Sequence, residues 1–570
     1  MLRGEFSTAA QHIFLIGIAH MKRLLFEVHR WVGIALAVFM LLWFFSGLLI
    51  IYAEPATPSR AQQLVNADSL LVEASWLSAG EAWQRSEAQR NALVAKKNSG
   101  GAEDKAVRIA GNKPAEVAGE SDIVEARLVR QAGEPLWLIE DQKGQRFALS
   151  AVDGNLHQTT VEHALQIAAN WVNRNSGDAD NAAVNFNFIE TIAKPAILRS
   201  QEGLLPFHRI AVEDGAGSEL LISARTGEVV HASTRIGRGM YWAGNWLHLF
   251  RPLELTSLSE SRVTVLTWTA LSAVVAALTG LIVGWLRWRP GWLGKKTYSE
   301  GRVHPYRNGW FRWHFWGGLI GGILALTWGL SGFLNNNPWH VFSPANPSKA
   351  ELERYVGSAN PAVTKLWRAA SVPRVDANLV ELAWHRLGGE TVQLAYARDG
   401  HTLAQSSGTG KFSEASLQAA VQRMVGTTPI ASLTVLQKYD SYYYLRHHRD
   451  SADRPLPVLR VELADAVGTH LYLDPQDGHL LVKQDCSRRV YRWLYSALHH
   501  WDFGWLYQRP VWDAWMLTWV AFGLTLSSTA VVLAWKRLAL TLRHKPHRLA
   551  KREVIPMPEA VHLSTENQAG

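Results

Sequence analysis

Four histidines stand at matching positions in two halves of the chain, and each borders an apolar run. His29 opens the pattern His-x-Trp-x-Gly, which continues with a Trp fourteen residues after the histidine and with Ser-Gly-x-Leu. The same pattern starts at His314, 285 positions later, without a gap. A second register, offset by 251, matches the Leu-His that ends at His248 with the Leu-His that ends at His499. Ionisable residues at a membrane are costly, so a functional role is the default interpretation.

The cysteine content limits the chemistry that these histidines can serve. A single Cys486 excludes an internal disulfide, an iron–sulfur cluster and a covalent Cys-x-x-Cys-His haem attachment. The sequence also lacks the Gly-x-Gly-x-x-Gly and Gly-x-x-x-x-Gly-Lys fingerprints of nucleotide sites. Any redox cofactor must therefore be held without covalent links, chiefly by histidine.

The elements that must position the histidines are membrane helices. A bilayer core of about 30 Å needs about 20 apolar residues per crossing. The runs of that length are Val32–Tyr52, Val263–Leu286, Phe315–Leu334 and Ala514–Trp535. Only 48% of the 570 residues are hydrophobic, so large water-facing parts lie between the runs.

Basic residues give the orientation. The connector 287–312 carries seven Lys or Arg against one acidic residue, and Lys536–Arg552 carries seven with none. By the positive-inside tendency, the connector and both termini are cytoplasmic, and 53–262 and 335–513 are exported. The net charge of +9 thus fits basic clusters beside anionic lipid, and no nucleic-acid motif appears.

The two exported regions share an order of elements. A helix is predicted over Val161–Arg174, with strands over Arg209–Val212 and Glu219–Val230. At the offset of 251, Pro206, Arg209, Asp214, Gly217 and Gly227 match Pro457, Arg460, Asp465, Gly468 and Gly478. The expected fold is an α-helical integral membrane protein with four transmembrane helices in two tandem repeats, each carrying an exported α+β domain.

The expected segments follow from these boundaries. We expect residues 1–20 to be a gene-start extension or a poorly ordered tail, and about 96–120 to be a flexible insertion. In chain order the segments are a cytoplasmic tail (1–28), helix 1 (29–53), exported domain 1 (54–240), an interfacial segment with helix 2 (241–286), the connector (287–312), helix 3 (313–335), exported domain 2 (336–490), an interfacial segment with helix 4 (491–535) and a cytoplasmic tail (536–570).

These features resemble the PepSY-associated transmembrane proteins. The resemblance rests on His-x-Trp-x-Gly before the first helix of each half, Leu-His before the second, and Asp-Pro-Gln-Asp-Gly-His at 474–479, and it covers about 30–535. That family includes iron-regulated inner-membrane siderophore reductases such as ferrioxamine reductase. The resemblance implies two periplasmic PepSY domains, b-type haem on membrane-associated histidines, a bacterial inner-membrane location and electron delivery to a periplasmic ferric siderophore. Some relatives carry a fused flavin reductase that this chain lacks, so the donor is left open between membrane quinol and a cytoplasmic protein.

Duplicated halves around a pseudo-twofold axis would bring equivalent histidines together. His29 would then face His314, and His248 would face His499, each pair suited to a six-coordinate haem b. Two such haems would form a relay across the bilayer. A lone interfacial histidine is more often an anchor or a cap, but repetition in register favours ligation. His500 has no counterpart and is expected beside the ligands.

Three arginines lie next to the expected ligands. Arg30, Arg251 and Arg312 are placed where a guanidinium could pair bidentately with haem propionates. The alternative is that they reach lipid phosphates, which is equally compatible with their position.

One aromatic and basic stretch breaks the repeat. The candidate substrate residues in Ser441–Arg449 are Tyr442, Tyr443, Tyr444, His447 and His448. Their stacking and cationic groups suit a flat anionic, hydroxamate or catecholate ligand. The plainer alternative is a strand with aromatic alternation followed by a basic turn.

Two functions of different classes remain. The first is a ferric-siderophore reductase, a haem-dependent oxidoreductase that releases Fe(II). The second is a membrane-anchored PepSY module that binds or inhibits an exported peptidase or envelope partner without redox activity. An anchor has no reason to place histidines at matching heights in both halves, so the register favours the first.

Overall fold

The computed structural model describes residues 2–53, 56–99, 123–142, 144–175, 184–193, 199–292, 294, 296–357, 361–368, 378–400, 402, 411–445 and 454–543. Most of the insertion predicted at 96–120 lies outside these ranges. The chain divides into two compact units. The helical unit comprises Met1–Phe45, Trp268–Leu330 and Ala514–Gly570, and the sheet unit comprises Ser46–Thr267 and Ser331–Asp513.

Helices and strands alternate in long blocks along the described chain. The α-helices are α1 (Leu2–Tyr52), α2 (Arg60–Val65), α3 (Ala79–Arg85), α4 (Glu87–Ser99), α5 (Val161–Asn175), α6 (Arg235–Tyr241), α7 (Arg262–Arg287), α8 (Gly309–Asn335), α9 (Lys349–Val356), α10 (Pro361–Thr364), α11 (Glu414–Val425), α12 (Cys486–Tyr491), α13 (Leu498–His500) and α14 (Val511–Arg543). The strands are β1 (Ile123–Gln131), β2 (Glu134–Asp141), β3 (Arg146–Ser150), β4 (Phe186–Ile192), β5 (Phe207–Val212), β6 (Glu219–Ser223), β7 (Val229–Ser233), β8 (Leu379–Leu387), β9 (Glu390–Ala397), β10 (Ile430–Leu436), β11 (Val458–Leu463), β12 (His470–Leu473) and β13 (Leu480–Gln484).

Four helices, α1, α7, α8 and α14, are long and apolar enough to cross a membrane. All four predicted runs fall within them, so the prediction of four spans is confirmed. Helix α1 begins at Leu2, earlier than the predicted run, so its backbone includes the residues expected to be a gene-start extension or a poorly ordered tail.

Glycines allow close packing in the helical unit. A Cβ at Gly523 of α14 would lie only 2.2 Å from the ring of Phe44 on α1. A Cβ at Gly317 of α8 would lie 3.5 Å from Leu526 of α14. Small residues at helix contacts let backbones approach where lipid provides no hydrophobic drive for association.

A five-stranded antiparallel sheet forms the centre of the sheet unit, in the order β3-β2-β1-β8-β9. Strands β1 and β8 come from the two regions that were predicted as separate exported domains, so these regions share one sheet. Arg127 pairs with Ala383, which lies 256 residues later. Strand β8 begins 256 residues after β1, and β9 begins 256 residues after β2. The ladder between β1 and β8 is therefore symmetric about the pair Arg127 and Ala383.

Two further antiparallel sheets have matching orders, β4-β5-β6-β7 and β10-β11-β12-β13. Strands β11, β12 and β13 each begin 251 residues after β5, β6 and β7. Helix α5 packs on the first sheet through Ala164 and Ala168, and α11 packs on the second through Leu417 and Val421. The predictions of α5 and of the strands near β5 to β7 are confirmed.

Candidate functional site

His29 on α1 and His314 on α8 face each other within the helical unit. Their ring centroids are 6.4 Å apart, and the ring planes are inclined by 37°. His29 Nδ1 lies 3.1 Å from the carbonyl oxygen of Ala276 on α7. Because a carbonyl oxygen only accepts, the proton is on Nδ1, and Nε2 is the atom that can bind a metal.

A hydroxyl fixes the second ring of this pair. His314 Nδ1 lies 3.2 Å from Thr529 Oγ1 on α14. The same hydroxyl lies 2.9 Å from the carbonyl oxygen of Thr525 and 2.8 Å from that of Leu526. It therefore donates to a carbonyl and accepts from His314, which assigns the proton of His314 to Nδ1 as well.

The neighbourhood of His29 depends on a glycine. A Cβ at Gly280 of α7 would lie 2.7 Å from His29 Cε1, closer than side chains are found. Among the residues that the structure describes, a Cβ at Gly33, one turn after His29, would meet no atom within 4 Å. The absence of a side chain at Gly280 therefore makes room for the His29 imidazole, whereas the described residues leave space beside Gly33 on α1.

His248 and His499 form the second pair, within the sheet unit. Their ring centroids are also 6.4 Å apart, but the ring planes are inclined by 79°. A π-helical turn precedes each histidine, at Trp242–Trp246 and at Arg492–Ala497. A left-handed residue follows each, Phe250 with φ of 52° and Trp501 with φ of 55°. The backbones around the two histidines therefore match at the offset of 251.

Two serines hold the rings of the second pair. Ser46 Oγ lies 3.0 Å from His248 Nδ1, and Ser331 Oγ lies 2.9 Å from His499 Nδ1. Each serine is followed by a glycine whose Cβ would face the imidazole, at 3.6 Å for Gly47 and 3.9 Å for Gly332. The sequence contained this signal in the repeated Ser-Gly, but the serines were not recognised as partners of the histidines.

Both pairs fit axial ligation of one iron. An imidazole nitrogen binds a metal at about 2.0–2.1 Å, so two rings on opposite sides of an ion stand about 6.4 Å apart between centroids. Both observed separations equal this value. A metal-bound histidine also commonly bonds through its other nitrogen, as all four do here. The donor set and its spacing therefore fit bis-histidine haem.

The three arginines have different surroundings. Arg30 forms an ion pair with Glu27 one turn earlier. Arg312 is exposed, and Arg251 is half-buried at the start of a 3₁₀ turn. Close to His248, Arg262 donates to the carbonyl oxygen of Leu249 at 2.8 Å, which helps to fix the segment that follows this histidine. Pairing with propionates stays a prediction for Arg30, Arg251 and Arg312.

The tyrosine stretch is mainly structural. Tyr443 is fully buried, donates from its hydroxyl to the carbonyl oxygen of Pro455 at 2.7 Å, and stacks on Tyr472. Its assignment as a substrate residue is corrected, since a side chain without accessible surface cannot meet a dissolved ligand. Tyr442 and Tyr444 are half-buried, with the Tyr444 hydroxyl donating to Asp502 at 3.0 Å.

His447 and His448, the other two candidate substrate residues, lie outside the residues that the structure describes. Their predicted contact with a substrate stays a prediction.

The four apolar helices, together with the sheets between them, define a multi-pass membrane protein with large folded parts outside the helices. The family model for the PepSY-associated TM region matches residues 26–424, well over half of the chain. The chain therefore belongs to the PepSY-associated transmembrane family. The matched residues include His29, His248 and His314. No curated protein matches the sequence.

Proposed function

We propose that this protein is a haem-dependent oxidoreductase of the bacterial inner membrane. In this proposal His29 and His314 hold one b-type haem, and His248 and His499 hold another. The observation that carries it is the pair of 6.4 Å ring separations, each with Nδ1 engaged by a protein group. Bound haem would supply one-electron transfer at a potential set by the ligands and their hydrogen bonds.

We infer further that the chain consists of two tandem repeats. Three strands and the histidine after them recur at an offset of 251, and the central ladder pairs Arg127 with its counterpart Ala383. A repeat would explain why one histidine of each pair comes from each half, at an offset of 285 for His29 and His314 and of 251 for His248 and His499. It also favours redox chemistry over simple anchoring, because an anchor needs no paired ligands.

The basic connector and C-terminal segment support an orientation with both termini in the cytoplasm. The sheet unit would then lie in the periplasm. The connector 287–312 is too short for a substrate domain, whereas the sheet unit has several hundred residues. The substrate side is therefore proposed to be the periplasm.

The proposed substrate is a ferric siderophore. Each Fe(III) takes up one electron to give Fe(II), so a membrane quinol that yields two electrons and two protons would reduce two chelates. Hydroxamate and catecholate oxygens are hard donors that hold Fe(II) less well, so reduction would release the metal. A cytoplasmic protein is the other candidate donor.

The first test is reductase activity in liposomes that contain the full chain in one orientation. Quinol is added to the bilayer and a ferric hydroxamate to one side only, and a chelator of Fe(II) reports the product. We expect Fe(II) only when the chelate faces the sheet unit. His29→Ala should abolish this reaction, and His500→Ala, which removes a neighbouring non-ligand, should retain it.

Two outcomes would reject the proposal. One is a haem-free protein from cells that are supplied with haem, which would favour the PepSY module without redox activity. The other is an unchanged rate of Fe(II) formation in a His29→Ala variant that no longer holds the haem of His29 and His314.

A further inference from the structure

A second group of metal-binding side chains lies in the sheet unit. Glu125 on β1 and His385 on β8 are direct neighbours across the central ladder, so their side chains share one face of the sheet. His479 follows the turn between β12 and β13 and approaches the same carboxylate. The three side chains offer one ligand atom each, all within 4.8 Å of one another.

The distances suit ligands of one ion better than hydrogen bonds. Glu125 Oε2 lies 3.8 Å from His385 Nδ1 and 3.6 Å from His479 Nε2, which is within ion-pair range but beyond hydrogen-bond range. Two ligands at about 2.1 Å from a tetrahedral ion are themselves about 3.4 Å apart, and two imidazole centroids are about 5.2 Å apart. The observed centroid separation of His385 and His479 is 5.3 Å. The same metal–nitrogen distance that gives a centroid separation of about 6.4 Å for rings on opposite sides of an ion thus gives about the observed 5.3 Å for two rings at tetrahedral positions.

His385 is buried beside this carboxylate. Its residue is 6% exposed, and within the described residues its Nε2 is a buried atom without a hydrogen-bond partner. Its Nδ1 has the Glu125 carboxylate in front of it at non-bonding distance. A metal ion at Nδ1 would give that nitrogen a direct partner, whereas Nε2, on the other side of the ring, takes no part in the site.

Asp477 orients the other imidazole. Its Oδ2 lies 2.7 Å from His479 Nδ1, and its Oδ1 accepts from the backbone N–H of His479 at 2.8 Å. This contact directs Nε2 towards Glu125. A carboxylate behind a histidine in this way is the usual second partner of a metal ligand.

The matching place in the other half holds a protein cation. Glu381 lies 256 residues after Glu125, and Glu228 lies 251 before His479. Arg127 bridges these two carboxylates, at 2.6 Å from Glu228 and 3.6 Å from Glu381. Burial favours the neutral form of Glu228, but Arg127 and Arg146 lower the pKa of its carboxyl.

The counterpart of Arg127 is Ala383, which has no charge to offer. Arg127 thus balances Glu228 and Glu381, and it also lies 3.4 Å from Glu125 Oε1, whereas both histidines approach Glu125 Oε2. The other half presents two imidazoles and a carboxylate at the corresponding place.

We propose that Glu125, His385 and His479 bind a divalent first-row transition-metal ion, with Asp477 as a positioning residue. Two imidazoles and one carboxylate suit Zn²⁺ or Fe²⁺ rather than Mg²⁺ or Ca²⁺, which prefer oxygen ligands alone. This site is separate from the four haem-ligand histidines. It does not depend on the proposed reductase activity.

The test is equilibrium dialysis of the full chain against buffered Zn²⁺, with zinc and protein measured together. We expect one tight Zn²⁺ per chain that His385→Ala and His479→Ala each abolish. Asp477→Asn should weaken binding by about 10- to 100-fold, as loss of a second partner does. The control is His470→Ala, because His470 on β12 belongs to neither histidine and carboxylate group of the described residues, and this variant should leave the affinity unchanged.

A second readout separates ligation from folding. The zinc X-ray absorption spectrum of the native chain should show outer-shell scattering from two imidazoles, and His479→Ala should reduce it to one or none. His479 follows a turn and its side chain is 53% exposed, so this variant decides the matter if the buried His385→Ala fails to fold. Equal zinc affinity in the native and His479→Ala chains, or a zinc spectrum without imidazole, would overturn the proposal.

Discussion

The two histidine pairs share a ring separation of 6.4 Å but differ in what surrounds them. In the sheet unit, His248 and His499 each contact a serine from the same position of the repeated Ser-Gly. In the helical unit, His29 contacts a backbone carbonyl and His314 a threonine hydroxyl. The angle between the two ring planes also differs, at 79° for His248 and His499 and 37° for His29 and His314. The spacing of the two imidazole rings is thus common to both pairs, whereas the hydrogen-bond partners differ between them.

The largest effect should come from the ligands themselves. His29→Ala or His314→Ala should lower the haem content from two to one per chain by emptying the same site, since one axial bond is lost. His248→Ala or His499→Ala should empty the other site. Haem and protein assays on the purified variants measure this, with His500→Ala as the control that keeps both haems. Four independent losses, rather than two paired ones, would break the comparison.

A glycine next to the helical pair should matter almost as much. Gly280→Ala adds a Cβ that would lie 2.7 Å from His29 Cε1, so the ring must move away from its partner. We expect most of the haem at His29 and His314 to be lost, with the other haem retained. Gly284→Ala, one turn further along α7, meets Leu319 at an ordinary 3.4 Å and serves as the matched control. Equal haem content in the two variants would show that the position of His29 is not limiting.

Smaller effects should come from the Nδ1 partners. Thr529→Val removes an acceptor of the His314 Nδ1–H, which makes the imidazole a weaker electron donor and should raise the midpoint potential of that haem. Ser46→Ala and Ser331→Ala should each shift the midpoint potential of the other haem, and both shifts should have the same sign. Potentiometric titration of each variant measures these shifts. If a single variant shifted the midpoint potentials of both haems, the assignment of the Nδ1 hydrogen-bond partners would be contradicted.

The sequence predicted those features that recur at a fixed offset. The histidine register and the four apolar runs were enough to place all four candidate ligands on or beside membrane helices. Ser46 and Ser331 were visible in the same register, although their role was not. The carbonyl of Ala276 and the hydroxyl of Thr529 could not be predicted, because neither has a repeated counterpart and each depends on how α7 and α14 pack.

Long-range pairing explains the remaining differences. Strands β1 and β8 are about 250 residues apart, and nothing local in either strand encodes their pairing. Glu125, His385 and His479 meet only because that ladder forms. The tyrosines illustrate the opposite error: aromatic composition favoured a binding surface, but Tyr443 serves the core of the sheet unit. Composition indicates which chemistry is available, whereas burial depends on the tertiary fold.

The central claim, that the two histidine pairs each hold one haem, is tested most directly by low-temperature EPR of the oxidised full chain. Nearly perpendicular imidazole planes give ferric haem a highly anisotropic low-spin signal, whereas planes closer to parallel give a rhombic one. We expect both signals at equal intensity, with the anisotropic one absent from His248→Ala and the rhombic one absent from His29→Ala. A sample from haem-supplied cells that shows no low-spin ferric signal, or only a high-spin one, would contradict the account.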